Sequence, residues 1–347
     1  MSDQERTDPP GVDLERLRPW FADHVSGAHG DALAASLITG GKSNLTYRVT
    51  DGAREWILRR PPLGHVLATA HDMGREYRVM SALADTAVPV PTTYGFCDDP
   101  DVLGADFYVM EAVEGTPYRL AEELRPLGAD RVRTMSTALV DTMVDLHHVD
   151  PTAVGLSDFG RPEGFLTRQV ARWQKQLAAS HSRDLPDAER LHARLEALAP
   201  DVDATAVPGI VHGDYRLDNV LVDSEDRLRA VLDWEMATVG DPVTDLALML
   251  LYGRLAEHAD ENVVADATKA PGFLSEAEII ARYDERSDRD LSHLGFYLGL
   301  AAFKLAAILE GIHYRYIHGQ TVGPGFDSIG DAIHPLLAAG LTALKES

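Results

Sequence analysis

The residues best suited to chemistry lie in two short stretches of the second half of the chain. Residues 212–219 read H-G-D-Y-R-L-D-N, and residues 232–242 read L-D-W-E-M-A-T-V-G-D-P. Phosphoryl transfer from a nucleotide requires a carboxylate aimed at the attacking hydroxyl and a few oxygen ligands for magnesium. Asp214 can supply that carboxylate, and Asn219 and Asp233 can hold the metal. The two stretches therefore predict a catalytic loop and a magnesium site.

The surrounding residues support this interpretation. Apolar runs at 209–211, 220–222 and 228–232 are typical of short strands, so the three polar residues lie where strands meet loops. In kinases the catalytic loop runs H-x-D-x-x-x-x-N and a metal-binding Asp follows on a later strand. Order and spacing match here. The alternative, an ordinary loop tripeptide H-G-D, does not account for the three positions together.

The first third of the chain is predicted to form a nucleotide-binding sheet. Two glycines in G-G-K-S-N at 40–44 could bring backbone N–H groups close to phosphates, although such a turn is also common in plain hairpins. Side chains alternate along a strand, so Ile57 and Arg59 share one face, with Ile57 over the base and Arg59 at the phosphates. Glu76 could pair with Arg59, or it could be a solvated helix residue. Strands are predicted at 33–38, 45–50, 54–59, 94–97 and 107–113, and helices at 13–26 and 70–84.

After residue 114 helical patterns dominate, at 128–149, 163–180, 186–199, 241–254, 274–286 and 291–317. This order predicts an α+β, bilobal fold with a β-rich N-lobe, a helix-rich C-lobe and a cleft between them. Residues 1–12 are expected to be a disordered lead-in. Residues 13–113 are expected to be the N-lobe, with a nucleotide flap and a five-stranded antiparallel sheet. The C-lobe, with catalytic loop, metal site and substrate-binding helices, would span 114–347.

Composition restricts the partners. The chain has 347 residues and a formal charge of −23, which argues against nucleic acid, since that partner needs a basic face. With Cys97 as the single cysteine, an intrachain disulfide is impossible. No apolar run is expected to reach the roughly 18 residues of a membrane helix, and the N-terminal residues lack the apolar core of a signal peptide. We expect a cytoplasmic protein with a small-molecule substrate and no membrane partner. The sequence does not indicate an oligomeric state.

Several stretches together resemble the aminoglycoside phosphotransferase and choline kinase-like superfamily, whose fold is that of protein kinases. The closest similarity is to the branch related to the kinase domain of some acyl-CoA dehydrogenases. Besides the two stretches above, the resemblance is carried by G-G-K-S-N-L-T-Y at 40–47, W-I-L-R-R-P-P at 56–62, R-E-Y-R-V-M-S-A-L at 75–83, F-Y-V-M-E at 107–111 and G-I-H-Y-R-Y-I-H-G-Q-T at 311–321.

The resemblance implies ATP and Mg²⁺ as cofactors and a role for each matching residue. Asp214 would be the catalytic Asp, Asn219 and Asp233 the metal ligands, and Glu235 a second acidic group near the metal. The nucleotide would be bound by Gly41, Lys42, Ser43, Asn44, Ile57, Arg59, Glu76, Met110 and Glu111, the last two at the adenine. The loop would be supported by His212, Arg216 and Asp245.

The acceptor is less well determined. The branch implies a hydroxyacyl-CoA or hydroxy acid, which is anionic, whereas ten acidic residues in 255–290 could receive a cationic aminoglycoside or be a solvated surface. Arg59 stands where kinases carry a phosphate-holding Lys, although Arg is common at this position in the branch. Three hypotheses follow: a small-metabolite O-phosphotransferase, an aminoglycoside-type antibiotic kinase, and a nucleotide-binding regulatory module with little turnover.

Overall fold

A computed structural model of the chain describes residues 8–29, 32–38, 44–64, 72–258, 265–321 and 326–345. The chain folds into two compact units. The first comprises Met1–Gly115 and Arg229–Glu235, and the second comprises Thr116–Leu228 and Met236–Ser347. The sequence predicted the division between residues 113 and 114, and it assigned 229–235 to the second region. In the structure, residues 229–235, which include Asp233, belong to the first unit.

The first unit is built on a sheet. Its elements in chain order are α1 (Leu14–His24), β1 (Ala34–Ile38), β2 (Leu45–Thr50), β3 (Glu55–Arg60), α2 (Met73–Leu83), β4 (Thr93–Cys97), α3 (Pro100–Leu103) and β5 (Phe107–Glu111). Within the described residues, the strands form a five-stranded sheet in the order β1-β2-β3-β5-β4, with antiparallel neighbours. The core packs large side chains of α1 and the sheet, among them Phe21, Tyr47, Trp56 and Phe107.

The end of the predicted lead-in is packed and not disordered. The Tyr47 hydroxyl donates to the carbonyl of Pro10, and the Arg60 guanidinium donates to the carbonyls of Gly11 and Leu103. Val12 is buried. The polar, proline-containing composition suggested disorder, but its carbonyl oxygens satisfy donors of the sheet. The prediction is therefore wrong for residues 8–12, and residues 1–7 lie outside the described residues.

The second unit is mainly helical. The remaining elements of the chain are α4 (Ala121–Leu124), α5 (Ala129–His148), α6 (Phe165–Ala179), α7 (Pro186–Asp203), β6 (Gly209–Val211), β7 (Val220–Val222), β8 (Leu228–Val231), β9 (Thr238–Gly240), α8 (Val243–His258), α9 (Glu276–Arg286), α10 (Leu294–Ile317) and α11 (Ile333–Ala343). Strand β6 pairs antiparallel with β9. The long helices agree with the predicted spans to within a few residues, whereas β9 and α11 were not predicted.

Helix α10 corrects the expectation that no segment is long and apolar enough to cross a membrane. Its 24 residues include an 18-residue window of mean hydropathy 1.5, of which 67% is buried inside the protein. The helix also carries three charged side chains, which are Lys304, the fully buried Glu310 and, in its last turn, Arg315. Burial of this kind is typical of a core helix, which must be apolar on most sides.

Candidate active site

The loop that carries Asp214 is shaped by the glycine before it. Strand β6 ends at Val211, and Gly213 then adopts a φ of +88°. A Cβ at Gly213 would lie 2.7 Å from the Cβ of Met236 and 2.9 Å from its carbonyl oxygen. Both the backbone conformation and the space therefore require glycine. This explains the middle residue of H-G-D and turns the chain so that Asp214 follows at the loop, with its side chain 28% exposed.

Asp245 holds this loop by its backbone. The carboxylate lies in the first turn of α8 and accepts hydrogen bonds from the backbone N–H groups of His212, at 2.6 Å, and Gly213, at 2.8 Å. Burial alone would raise the pKa of Asp245, but the bond from His147 and the backbone N–H of His212 lower it overall. Asp245 is therefore a buried, ionised anchor of the loop backbone.

Two histidines complete the support. The ring of His147 lies 3.4 Å from Asp245 through Nε2 and 2.9 Å from the Tyr283 hydroxyl through Nδ1. Burial lowers the pKa of His147, although Asp245 opposes the shift. His212 is completely buried and its Nδ1 accepts the backbone N–H of Asp214 at 3.2 Å. His212 thus packs inside the loop and satisfies one of its backbone N–H groups.

The Asp214 carboxylate has three polar neighbours. The Asn219 amide nitrogen donates to the Asp214 carbonyl at 2.8 Å and to carboxylate Oδ2 at 3.2 Å. The Tyr252 hydroxyl donates to Oδ1 at 2.9 Å. Arg216 lies 3.8 Å from Oδ2 and pairs with Asp218 at 2.8 Å. Burial raises the pKa of Tyr252, and the charge of Asp214 raises it further, so this hydroxyl keeps its proton.

Lys304 reaches the same loop from α10. Its ammonium donates to the Gly213 carbonyl at 2.9 Å and lies 5.6 Å from the centre of the Trp173 ring. Burial lowers the pKa of Lys304, whereas the charges of Asp214 and Asp245 oppose that shift. The ammonium group of Lys304 therefore lies against the loop that carries Asp214.

In the first unit, Arg59 is the centre of a buried charge cluster. It lies 3.4 Å from Glu76 and 3.2 Å from Asp233. Burial alone would lower the pKa of Arg59, but Tyr108, Glu76 and Asp233 together raise it. Glu76 is 1% exposed, which excludes the solvated alternative, and it accepts hydrogen bonds from the Tyr108 hydroxyl at 2.8 Å and from Asn44 at 2.9 Å. Burial raises the pKa of Glu76 even though Arg59 lowers it.

The strand register separates the two neighbouring arginines. Arg59 lies opposite Tyr108 on β5, whereas Arg60 points to the other face and donates to backbone carbonyls. Ile57 lies opposite Met110 on the same strand pair and is 9% exposed. Glu111 ends β5, and its carboxylate accepts from the backbone and hydroxyl of Thr92.

Three predicted nucleotide-binding residues, Gly41, Lys42 and Ser43, lie outside the described residues. Asn44 is described, but it is 4% exposed and its amide is bonded to Glu76. Asn44 thus holds Glu76 in place, and its contact to a nucleotide stays a prediction.

Asp233 adopts an unusual backbone conformation. Its φ is +65°, which aspartate tolerates better than most residues. The following Trp234 is buried and its indole N–H donates to the Val231 carbonyl at 3.0 Å, which closes the turn after β8. The turn exposes 34% of the Asp233 side chain. Glu235 follows and is partly buried.

The side chains present fit a magnesium ion. The described residues contain no group of three or more His, Cys, Asp and Glu side chains arranged as a metal site. A magnesium site of the kind predicted does not need one, because it combines one or two carboxylates with other oxygens and with substrate phosphates. The amide nitrogen of Asn219 is engaged by Asp214, so its oxygen is the atom that remains to bind a cation. Asn219 belongs to the second unit, and Asp233 and Glu235 to the first.

Sequence reasoning missed two tyrosines and the role of His147. Tyr108 completes the Arg59 cluster, and the strand register that pairs it with Arg59 could have indicated it. Tyr252 follows Asp245 by seven residues, or about two helical turns, so both lie on one face of α8. His147 lies in the last turn of α5, and no local sequence signal connects it with Asp245.

This chain matches a family model and part of a longer sequence relative. Residues 34–283 match the sequence model of the phosphotransferase enzyme family. The acyl-CoA dehydrogenase family member 11 of Rattus norvegicus is 32% identical over 344 residues, which cover 95% of this chain and 43% of that relative. The chain thus spans less than half the length of this relative.

Solved structures share the fold. A candidate aminoglycoside phosphotransferase of Ralstonia eutropha JMP134 is 32% identical, with a TM-score of 0.85 over 96% of this chain and 98% of that one. The ternary complex of aminoglycoside phosphotransferase APH(4)-Ia with AMP-PNP and hygromycin B is 16% identical, with a TM-score of 0.61 over 90% and 95% of the two chains. These similarities confirm the predicted kinase-like fold, with a β-sheet N-terminal region and a helical remainder.

The Asp245 anchor leads to a stability prediction. Asp245→Asn removes the charge and places an amide nitrogen, itself a donor, opposite one of the two backbone N–H groups, at a cost of about 1–3 kcal/mol for the buried group left unpaired. We expect a lower melting temperature and faster deuterium exchange at the amides of His212 and Gly213. Asp241→Asn is the matched control, because Asp241 is also buried but bonds to Tyr297 and Val243. Equal exchange at 212–213 in both variants would contradict the anchoring role.

Proposed function

Because the chain belongs to the phosphotransferase enzyme family, we propose that it is a small-molecule kinase that transfers the γ-phosphoryl group of ATP, with Mg²⁺, to a hydroxyl group. One observation carries the proposal: Asp214 presents a partly exposed carboxylate on a loop whose backbone is anchored by Asp245, with the Asn219 side chain beside it. Little covalent chemistry is needed from the protein beyond such positioning.

Each residue has a role in this proposal. Asp214 accepts the proton of the acceptor hydroxyl as its oxygen bonds to phosphorus. Asn219 and Asp233 hold Mg²⁺ through oxygen atoms, and Glu235 supports the site as a second acidic group. When bound, magnesium neutralises charge on the phosphates. His212, Arg216 and Asp245 keep the loop in place.

Arg59 is proposed to hold the ATP phosphates. Its guanidinium is already oriented by Glu76, which Tyr108 and Asn44 keep in place. A guanidinium can grip two phosphate oxygens with its planar fork. Ile57, Met110 and Glu111 are proposed to line the adenine site, and Gly41, Lys42 and Ser43 to cover the phosphates.

The proposed acceptor is an anionic, hydroxyl-bearing metabolite, a hydroxyacyl-CoA or a hydroxy acid. Lys304 supports this choice, because it places a buried positive charge on the catalytic loop. Arg172 adds a second cation. Its guanidinium lies 5.1 Å from the centre of the Trp173 ring, which the Lys304 ammonium also approaches. Arg168 contributes less, since its guanidinium caps the carbonyls of Arg161 and Glu163.

The acidic residues of 255–290 give weaker support to a cationic acceptor than their number suggests. Glu276 pairs with Arg254, Glu278 pairs with Arg133, and Asp266 accepts the backbone N–H of Ala121. These carboxylates already have partners in the fold. An aminoglycoside-type kinase is still the second candidate, because the 32% identical structural neighbour bears that description.

Binding of ATP can be tested with the two adjacent arginines. Saturating Mg-ATP should raise the melting temperature of the wild type. At a hundredfold excess over Kd, binding adds about 2.7 kcal/mol to the free energy of unfolding. Arg59→Ala should weaken this binding about 10–100-fold, as expected for a lost charge-assisted hydrogen bond. Arg60→Ala should lower the melting temperature but keep the response to Mg-ATP. No shift in the wild type and no heat in calorimetry would exclude nucleotide binding.

The catalytic carboxylate has its own test. Asp214→Asn keeps the shape of the side chain and removes the proton acceptor, so turnover should fall by about 10²–10⁴ while Mg-ATP binding survives. Asp233→Ala should instead weaken the magnesium dependence of nucleotide binding. Near-full activity of Asp214→Asn would show that another group takes the proton.

The acceptor is tested by ATP consumption and by detection of the phosphorylated product. We expect turnover with hydroxyacyl-CoAs or hydroxy acids and little with aminoglycosides or amino alcohols, because Lys304 favours an anion. Lys304→Met should raise KM for the anionic acceptor. Phosphorylation of an aminoglycoside alone would establish the antibiotic kinase, and Mg-ATP binding without any product would establish a regulatory module.

A further inference from the structure

One helix holds both the backbone and the side chain of the catalytic aspartate. Asp245, in the first turn of α8, bonds to the backbone N–H groups that precede Asp214. Tyr252, about two turns further along the same helix, donates its hydroxyl to carboxylate Oδ1 at 2.9 Å. A single rigid element therefore determines where the loop lies and how its carboxylate is turned.

The Tyr252 ring is itself restrained. The Arg216 guanidinium lies over it, 4.8 Å from the ring centre, and the same guanidinium pairs with Asp218 at 2.8 Å. Burial keeps the hydroxyl protonated, so toward Asp214 it is a permanent donor. The other carboxylate oxygen, Oδ2, receives a longer bond of 3.2 Å from Asn219, and Arg216 approaches it to 3.8 Å.

We propose that Tyr252 is a positioning residue for the phosphoryl transfer described above. It occupies Oδ1 and directs Oδ2 to the acceptor hydroxyl. As the acceptor oxygen bonds to the γ-phosphorus and the bond to the ADP oxygen breaks, the acceptor proton passes to Oδ2 and Tyr252 keeps its own. The inference rests on the proposed function and adds the residue that decides which oxygen of Asp214 acts as the base.

Geometry explains why this matters for rate. An aspartate carboxylate that rotates freely about its Cβ–Cγ bond spends part of its time with neither oxygen directed at the acceptor hydroxyl. Misplacement of a reacting group by about 1 Å can reduce the rate on the order of 10²-fold. Tyr252→Phe removes only the hydroxyl and keeps the ring under Arg216, so it tests the hydrogen bond with little change in packing.

The matched control is Tyr297→Phe. Tyr297 also donates to a buried aspartate, at 2.6 Å from Asp241, but it has no bond to Asp214. Hydrolysis of Mg-ATP, in which water replaces the acceptor, supplies the assay without an identified substrate. We expect Tyr252→Phe to lower kcat about 10–100-fold with KM for ATP unchanged, and Tyr297→Phe to leave kcat near the wild-type value.

A double-mutant cycle separates positioning from a general structural effect. In the Asp214→Asn background, Tyr252→Phe should cost nothing more, since it acts through the carboxylate. Equal losses in both backgrounds, or wild-type kcat in Tyr252→Phe, would overturn the inference. Absence of wild-type turnover, or full activity of Asp214→Asn, would instead contradict the proposed function.

Crystal structures of the variants give a readout that does not depend on turnover. In Tyr252→Phe the Asp214 carboxylate should rotate or occupy two conformations, whereas in Tyr297→Phe it should stay in place. An unmoved, singly ordered carboxylate in Tyr252→Phe would also overturn the proposal.

Discussion

The arrangement of the second unit depends on one buried carboxylate. The loop after β6 is irregular, so its backbone N–H groups have no strand partner, and a buried N–H without a partner is costly. Asp245 accepts two of them. Its charge is tolerable because the N–H groups, His147 and the start of a helix surround it, and the positive end of the helix dipole favours an anion there. The loop can then be irregular and rigid at once.

Rigidity of this loop extends to its side chains. Gly213 permits the turn, Lys304 satisfies the Gly213 carbonyl, and Asn219 and Tyr252 bond to Asp214. These contacts give the Asp214 carboxylate a defined direction. Preorganisation of this kind reduces the reorganisation needed when the reaction occurs.

In the first unit, the buried Arg59 is paired with carboxylate side chains. Arg59, Glu76 and Asp233 form an ion cluster, and a buried ion pair often contributes little to stability because its desolvation is costly. An apolar cluster would stabilise the sheet as well. Tyr108 and Asn44 bond to Glu76, and Glu76 in turn orients the Arg59 guanidinium, which is the group proposed above to hold the phosphates.

The sequence by itself determined the fold class, the long helices, the strands β1–β5 and the position of Asp214, Asn219 and Asp233 next to short strands, because periodicity and motif spacing are local properties. It also predicted from strand alternation that Arg59 and Arg60 face opposite sides. Only the tertiary structure decided the partners of these residues. Tyr252 reaches Asp214 from 38 positions away in the chain, and Tyr108 reaches Glu76 from 32 positions away. Residues 229–235 belong to the first unit, and residues 8–12 pack against the sheet. Both features depend on contacts between residues far apart in the chain, which no local pattern encodes.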